Sequence, residues 1–190
     1  MTKGIETRYA GHLFRSRLEA RWACFFDMIG WTWTYEPLDA NGYIPDFLIH
    51  GNRPMLVEVK PASCAADLLV ATTYVDKAIE GHWSGDTLML GIGPMAGVGS
   101  FRGATALGLL GEDVMDDVMD ELVPREYEDA LFTQCCDCGR FGVYHGLMSY
   151  ATRPCGHHDG DHYLSPVDMD KTQRLWGAAH EATRWVGSRS

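Results

Sequence analysis

The run Leu56-Val57-Glu58-Val59-Lys60 sets an acid and a base into an otherwise apolar stretch. Side chains alternate along a strand, so Glu58 and Lys60 share one face. Charges in such a run are costly unless they are paired or used. Upstream, Tyr43-Ile44-Pro45-Asp46-Phe47 places Asp46 in a second apolar run, Ile44 to Ile49. If the two runs pair as a hairpin, Asp46 and Glu58 converge beside Lys60. Two carboxylates next to an ammonium suit a hard divalent cation such as Mg²⁺ or Mn²⁺, which takes oxygen ligands. Such a metal polarises a phosphodiester and lowers the pKa of an attacking water. Lys60 would position that water, help deprotonate it, or offset developing negative charge. The plain alternative is a half-buried Glu–Lys pair on a sheet. An E-x-K triplet alone favours that alternative; the Pro-Asp pair at this distance favours a site.

A third acid, Glu19, lies in Arg15-Ser16-Arg17-Leu18-Glu19-Ala20-Arg21-Trp22. On a helix it borders the apolar stripe through Leu18 and Trp22, so it can point into the end of the sheet and complete a metal site. A salt-bridged surface Glu is the competing reading. Arg15, Arg17 and Arg21 are placed to contact phosphates.

A second set of residues suggests a different metal. Cys135-Cys136-Asp137-Cys138-Gly139 is followed by Cys155-Gly156-His157-His158. Cys135 and Cys138 make one ligand pair and Cys155 and His158 the other. Four soft ligands on two short turns suit a closed, structural Zn²⁺. His157 and Cys136 are the alternate ligands, with His145 and His162 ranked lower. A reduced cysteine cluster without metal is the competing reading. Cys24 reads as a small core residue, and Cys64 as structural or incidental.

These residues need elements to hold them. Residues 12–29 carry Leu13, Phe14, Leu18, Trp22, Phe25, Phe26 and Ile29 at helical spacing, ended by Gly30. Residues 31–36 alternate as a strand. Residues 43–50 and 55–60 are strands joined by Gly51-Asn52-Arg53-Pro54. Residues 65–79 form a second helix, 87–92 a buried strand, 104–110 a possible further strand and 168–186 a terminal helix. A small hairpin is expected over 141–150. Helix, three antiparallel strands, helix, strand is an α/β arrangement around a mixed central sheet.

The chain has 190 residues, 46% of them apolar, and a formal net charge of -10. That balance excludes a wholly disordered, collagenous or coiled-coil chain. No run approaches the roughly 20 apolar residues of a membrane helix. The polar N-terminus, 1–11, lacks an apolar signal core, so an intracellular, cytoplasmic protein is expected. The charge is uneven: residues 1–60 hold seven bases and seven acids, 131–190 six and six, and 61–130 three and thirteen. Nine acids lie between Glu112 and Asp129. They read as the solvated face of an amphipathic helix stopped near Pro124, or as a surface for a protein partner.

Taken together, Ser16-Arg17-Leu18-Glu19, Tyr43-Ile44-Pro45-Asp46-Phe47 and Val57-Glu58-Val59-Lys60-Pro61 resemble the PD-(D/E)XK nuclease superfamily. The similarity covers residues 12–93 and is to its phage-encoded and heteromeric-transposase endonuclease branch. The resemblance implies a restriction-endonuclease-like core and Mg²⁺-dependent cleavage of DNA in a phage or mobile-element setting. It implies Glu19, Asp46 and Glu58 as metal ligands and Lys60 as the catalytic cation. Some members bind DNA without cleaving it on their own, so a non-cleaving nucleic-acid or protein-interaction module is the alternative. The expected division is a nuclease core over 1–111, an acidic helical connector over 112–130, and a zinc-ribbon-like segment with the terminal helix over 131–190.

Overall fold

The computed structural model describes residues 4–51, 53–97, 104–112, 125–145, 151–152 and 164–184. A short hairpin opens the chain, β1 (Thr7–Tyr9) with β2 (His12–Phe14), turning through Ala10 and Gly11 at positive φ. Helix α1 (Arg17–Met28) follows. The Ser16 side chain caps it by accepting the Glu19 N–H. Its end is a Schellman motif: Gly30, at φ 74°, donates to Asp27 O, and the Trp31 N–H donates to Phe26 O. The helix expected over 12–29 therefore starts at 17, because residues 12–14 pair with β1.

Strands β3 (Trp33–Tyr35), β4 (Phe47–Ile49) and β5 (Met55–Val59) pair antiparallel to one another in that order. Helix α2 (Ala65–Ile79) then crosses over to β6 (Asp86–Ala96), which lies parallel to β5. Beyond it come β7 (Thr105–Glu112), β8 (Glu126–Cys135), β9 (Phe141–His145) and β10 (Ala151–Thr152), each antiparallel to the one before. β11 (Leu164–Pro166) pairs with the last residues of β8, and α3 (Met169–Ala182) closes the described chain. The result is an α/β fold with one open mixed sheet, ordered β10-β9-β8-β7-β6-β5-β4-β3, with β11 on β8. No helix among the described residues is long and apolar enough to cross a membrane.

Each sheet face buries its own core. One packs Trp22, Phe25 and Phe26 of α1 and Ala179 of α3 over Phe47, Val57, Leu88 and Phe132. The other packs Leu68, Val75 and Ile79 of α2 on Leu56, Met89 and Leu109. β5 is buried on both faces, which explains its near-continuous apolar run.

Two expectations are corrected. The strand expected over 43–50 shrinks to Phe47–Ile49, because Tyr43 bridges back to Ala40 in a tight turn and Pro45 cannot donate to a ladder. Glu126–Asp129, assigned to the connector part of the acidic helix/connector 112–130, lies in strand β8, and Glu112 lies in β7. The physical reason is cross-strand pairing: Glu112 sits opposite Glu126 and Leu110 opposite Glu128. Residues 113–124 fall outside the described residues. β7 and β8 run through positions 111/112 and 130/131, and β9 continues the same sheet.

Candidate active site

The register that pairs Phe47 with Val57 brings Asp46 beside Glu58. Asp46, one residue before β4, turns its carboxylate onto β5, where Oδ2 accepts the Val59 backbone N–H at 2.7 Å. Glu58 is in β5, and Lys60 follows the strand. The Lys60 ammonium reaches back to Glu58 Oε1 at 2.5 Å, as expected of two side chains on one face. Glu19 enters from the first turn of α1. Its Oε2 accepts the Tyr35 hydroxyl at 2.7 Å. All three carboxylates are buried: Glu19 is 8% exposed, Asp46 4% and Glu58 6%.

The acids act on one another's charge. Burial first, then the charges of Glu58 and Glu19, push Asp46 well above the ordinary carboxylate range, against the Val59 N–H and Arg15, which pull it down. Tyr43, held by its turn at Ala40, has a buried hydroxyl beside Glu58 that meets no hydrogen-bond geometry among the described residues. Burial and then the Glu58 charge raise its pKa. Tyr35 is raised too, chiefly by burial.

Arg15 is the cation among these acids. It bonds Asp46 Oδ1 at 2.7 Å and Glu36 Oε1 at 3.1 Å, and lies 4.0 Å from Glu19 Oε2. Burial opposes its charge, but Asp46, the Tyr35 hydroxyl and Glu19 together more than offset this and hold its pKa up. Arg15, expected to contact DNA phosphates, therefore spends its guanidinium inside the site. Arg17 and Arg21 lie on the other side of α1, with Arg21 5.3 Å from the ring of Trp176.

The donor set fits a hard divalent cation. Glu58 Oε2 is buried with no hydrogen-bond partner among the described residues, and the neighbouring ligand atoms are carboxylate oxygens whose mutual repulsion a cation would relieve. As the side chains stand, however, no three His, Cys, Asp or Glu among the described residues are grouped closely enough to hold a metal ion. Arg15 and Lys60 hold Asp46 and Glu58 instead.

Of the proposed zinc ligands, Cys135 ends β8 and is buried, while Cys136 and Cys138 are exposed in the turn to β9. Gly139, at φ 72°, donates to Cys135 O at 2.8 Å, and Cys135 N–H donates to Arg140 O at 2.8 Å, closing that turn. Cys155, His157, His158 and His162 fall outside the described residues, as does the second half of the hairpin expected over 141–150.

Tyr35, Glu36 and Tyr43 were not singled out from sequence as part of this site. Tyr35 and Glu36 belong to the alternating run Trp31 to Glu36, and Tyr43 precedes the Pro-Asp pair. Their nearness to Asp46 along the hairpin was the available signal.

Comparison with family models, with curated proteins and with solved structures returns no match to this chain.

Proposed function

We propose that this protein is a metal-dependent endodeoxyribonuclease that hydrolyses phosphodiester bonds, with a core of the PD-(D/E)XK kind. The observation that carries this reading is the convergence of buried Glu19, Asp46 and Glu58 from α1, β4 and β5, with Lys60 on Glu58. A structural salt bridge does not need a buried carboxyl whose pKa two other buried carboxylates raise, as Glu58 and Glu19 do at Asp46; a cation site does. Glu19, Asp46 and Glu58 would hold Mg²⁺ or Mn²⁺. When bound, that ion supplies Lewis-acid polarisation of the phosphodiester and a water of lowered pKa. Tyr35 orients Glu19, and the Val59 N–H orients Asp46. Lys60, half-buried, stands ready to orient the nucleophilic water or to offset charge on the phosphate.

The test is cleavage of plasmid and oligonucleotide DNA with Mg²⁺ or Mn²⁺. Glu58→Gln and Lys60→Ala should each reduce the rate at least about 100-fold. Cleavage undiminished in the double variant would sink the assignment.

The placement of Arg15 on Asp46 favours a second reading, a DNA-binding module in which an internal guanidinium has replaced the metal. Divalent-metal binding by the wild type, lost in Asp46→Ala, separates the two. For the turn at Cys135–Gly139, we propose a structural zinc held by Cys135 and Cys138 with Cys155 and His158. A site in a protein of the cytoplasm, in a phage or mobile-element setting, is consistent with the nuclease reading.

A further inference from the structure

Arg17 and Arg21 are four apart on α1 and lie side by side. Neither forms an ion pair among the described residues, in contrast to Arg15 with its three acidic neighbours. Both are half-buried, and the Nε of each is buried without a hydrogen-bond partner. Burial and then the Arg17 charge make the protonated form of Arg21 harder to hold. Two neighbouring cations with no acid paired to either among the described residues are costly unless an anion joins them.

The surroundings narrow the anion. The Arg21 guanidinium lies 5.3 Å from the Trp176 ring, a cation–π contact. Trp176 is itself only partly buried and packs against Trp22, ring centroids 4.4 Å apart. Beneath it runs Gly93 of β6, where an added Cβ would meet the Trp176 indole at 2.7 Å. A guanidinium over a half-open indole, with a second guanidinium one helical turn away, matches a nucleotide: phosphate on the arginines, sugar or base on the ring. Glu19 lies about 200° round α1 from Arg17 at about 100° per residue. The arginines therefore face away from the carboxylates, across a helix about 10 Å wide. At about 3.4 Å of rise per nucleotide, that distance is about three nucleotides.

We propose that Arg17, Arg21 and Trp176 form an anion shelf that binds a DNA backbone phosphate about three nucleotides from the bond at the carboxylate site. The inference rests on the reading of DNA as substrate, but not on cleavage. It brings α3 into substrate binding and separates Arg17 and Arg21 from Arg15.

The experiment is fluorescence anisotropy with a fluorescein-labelled DNA duplex, in EDTA, across a salt series, on the full chain. Arg17→Gln with Arg21→Gln should weaken binding about tenfold and make the slope of log K against log salt shallower by about 1. Arg17→Lys with Arg21→Lys should restore the slope, since lysine contacts phosphate as a point charge. Arg184→Gln removes the same kind of charge from an exposed site paired with Glu181, and should change binding less than twofold. A wild-type slope in the Gln pair, an equal loss in Arg184→Gln, a Lys pair no better than the Gln pair, or no DNA binding by the wild type would overturn the shelf. The nuclease reading fails separately. If the Gln pair loses binding but the wild type cuts no DNA with Mg²⁺ or Mn²⁺, the shelf stands and cleavage does not. If the wild type cuts and the Gln pair binds normally, only the shelf falls.

Discussion

The Val59 backbone N–H donates to Asp46 Oδ2 at 2.7 Å, so the peptide after Glu58 holds the carboxylate opposite Glu58. The bond is buried, and removing its acceptor leaves a buried donor unsatisfied. Asp46→Ala should therefore destabilise the protein by about 1–3 kcal/mol in urea denaturation. Asp46→Asn, whose amide oxygen can still accept, should cost clearly less, while both variants lose divalent-metal binding. Equal stability of the two would contradict this account.

Asp46 is pushed up from 3.8 to about 8, by burial first and then by Glu58 and Glu19. A carboxyl raised in the folded state stabilises the fold fully below its unfolded pKa and loses that contribution as pH rises through the folded value. The metal-free protein should therefore become less stable from about pH 4 to about pH 8 through this group. Mg²⁺ binding in the same window should tighten with pH and release a proton. Thermal melts in EDTA and with Mg²⁺ check both signs. A melting temperature that climbs with pH in EDTA, unaltered by Asp46→Asn, would count against the buried-acid cluster.

Arg15 and a divalent cation cannot both occupy the Asp46 carboxylate as it now stands. Its side chain is 53% exposed, so Arg15→Gln should cost only about 1 kcal/mol of stability. The same change should raise Mg²⁺ or Mn²⁺ affinity in titration calorimetry, because a competing cation is gone. Unchanged or weaker metal binding would mean that Arg15 helps build the site rather than occupying it.

Much of this arrangement was legible in the sequence because it is local. Helix α2 begins and ends as its periodicity indicated, since Pro61 isolates it and its apolar residues keep one face. The hairpin carrying Asp46 and Glu58 followed from two apolar runs with charges at matched positions. What was hidden depends on partners distant in the chain. Arg15 reads as a free base until Asp46, 31 residues on, folds against it. Glu126 to Asp129 read as an acidic connector beyond the helix stop near Pro124 because the acids outweigh the apolar residues there; only pairing with β7 makes them a strand. Trp176 reads as core packing, and its contact with Arg21 spans most of the chain.

Gly108 tests the sheet away from the site. An added Cβ would run into the backbone carbonyl of Met89 on β6, which cannot swing aside as a side chain can. Gly108→Ala should cost at least about 1–3 kcal/mol, as overpacking does in a tight interior. Expression as a folded protein of wild-type melting temperature would show that β6 and β7 lie further apart than described.

Zinc makes a direct analytical prediction. Purified protein should contain stoichiometric zinc by elemental analysis, and Cys138→Ser should lose it. A chelator should lower the melting temperature of the wild type. Metal-free protein that melts unchanged with chelator would leave the Cys135–Gly139 turn as a hairpin held by its own hydrogen bonds.

The docking of α3 on α1 bears on how the protein reaches its final state as it is made. Glu19, Asp46, Glu58 and Lys60 all emerge within the first sixty residues. The aromatic face of the helix that carries Glu19 is covered only later: Trp22 bonds Gly91 O of β6 and packs on Trp176 of α3. A growing chain can thus bring its acids together long before that face is sealed. Until α3 arrives, Trp22 and Phe25 present an uncovered aromatic surface to water, and this is the interval in which a nascent chain most needs protection from aggregation.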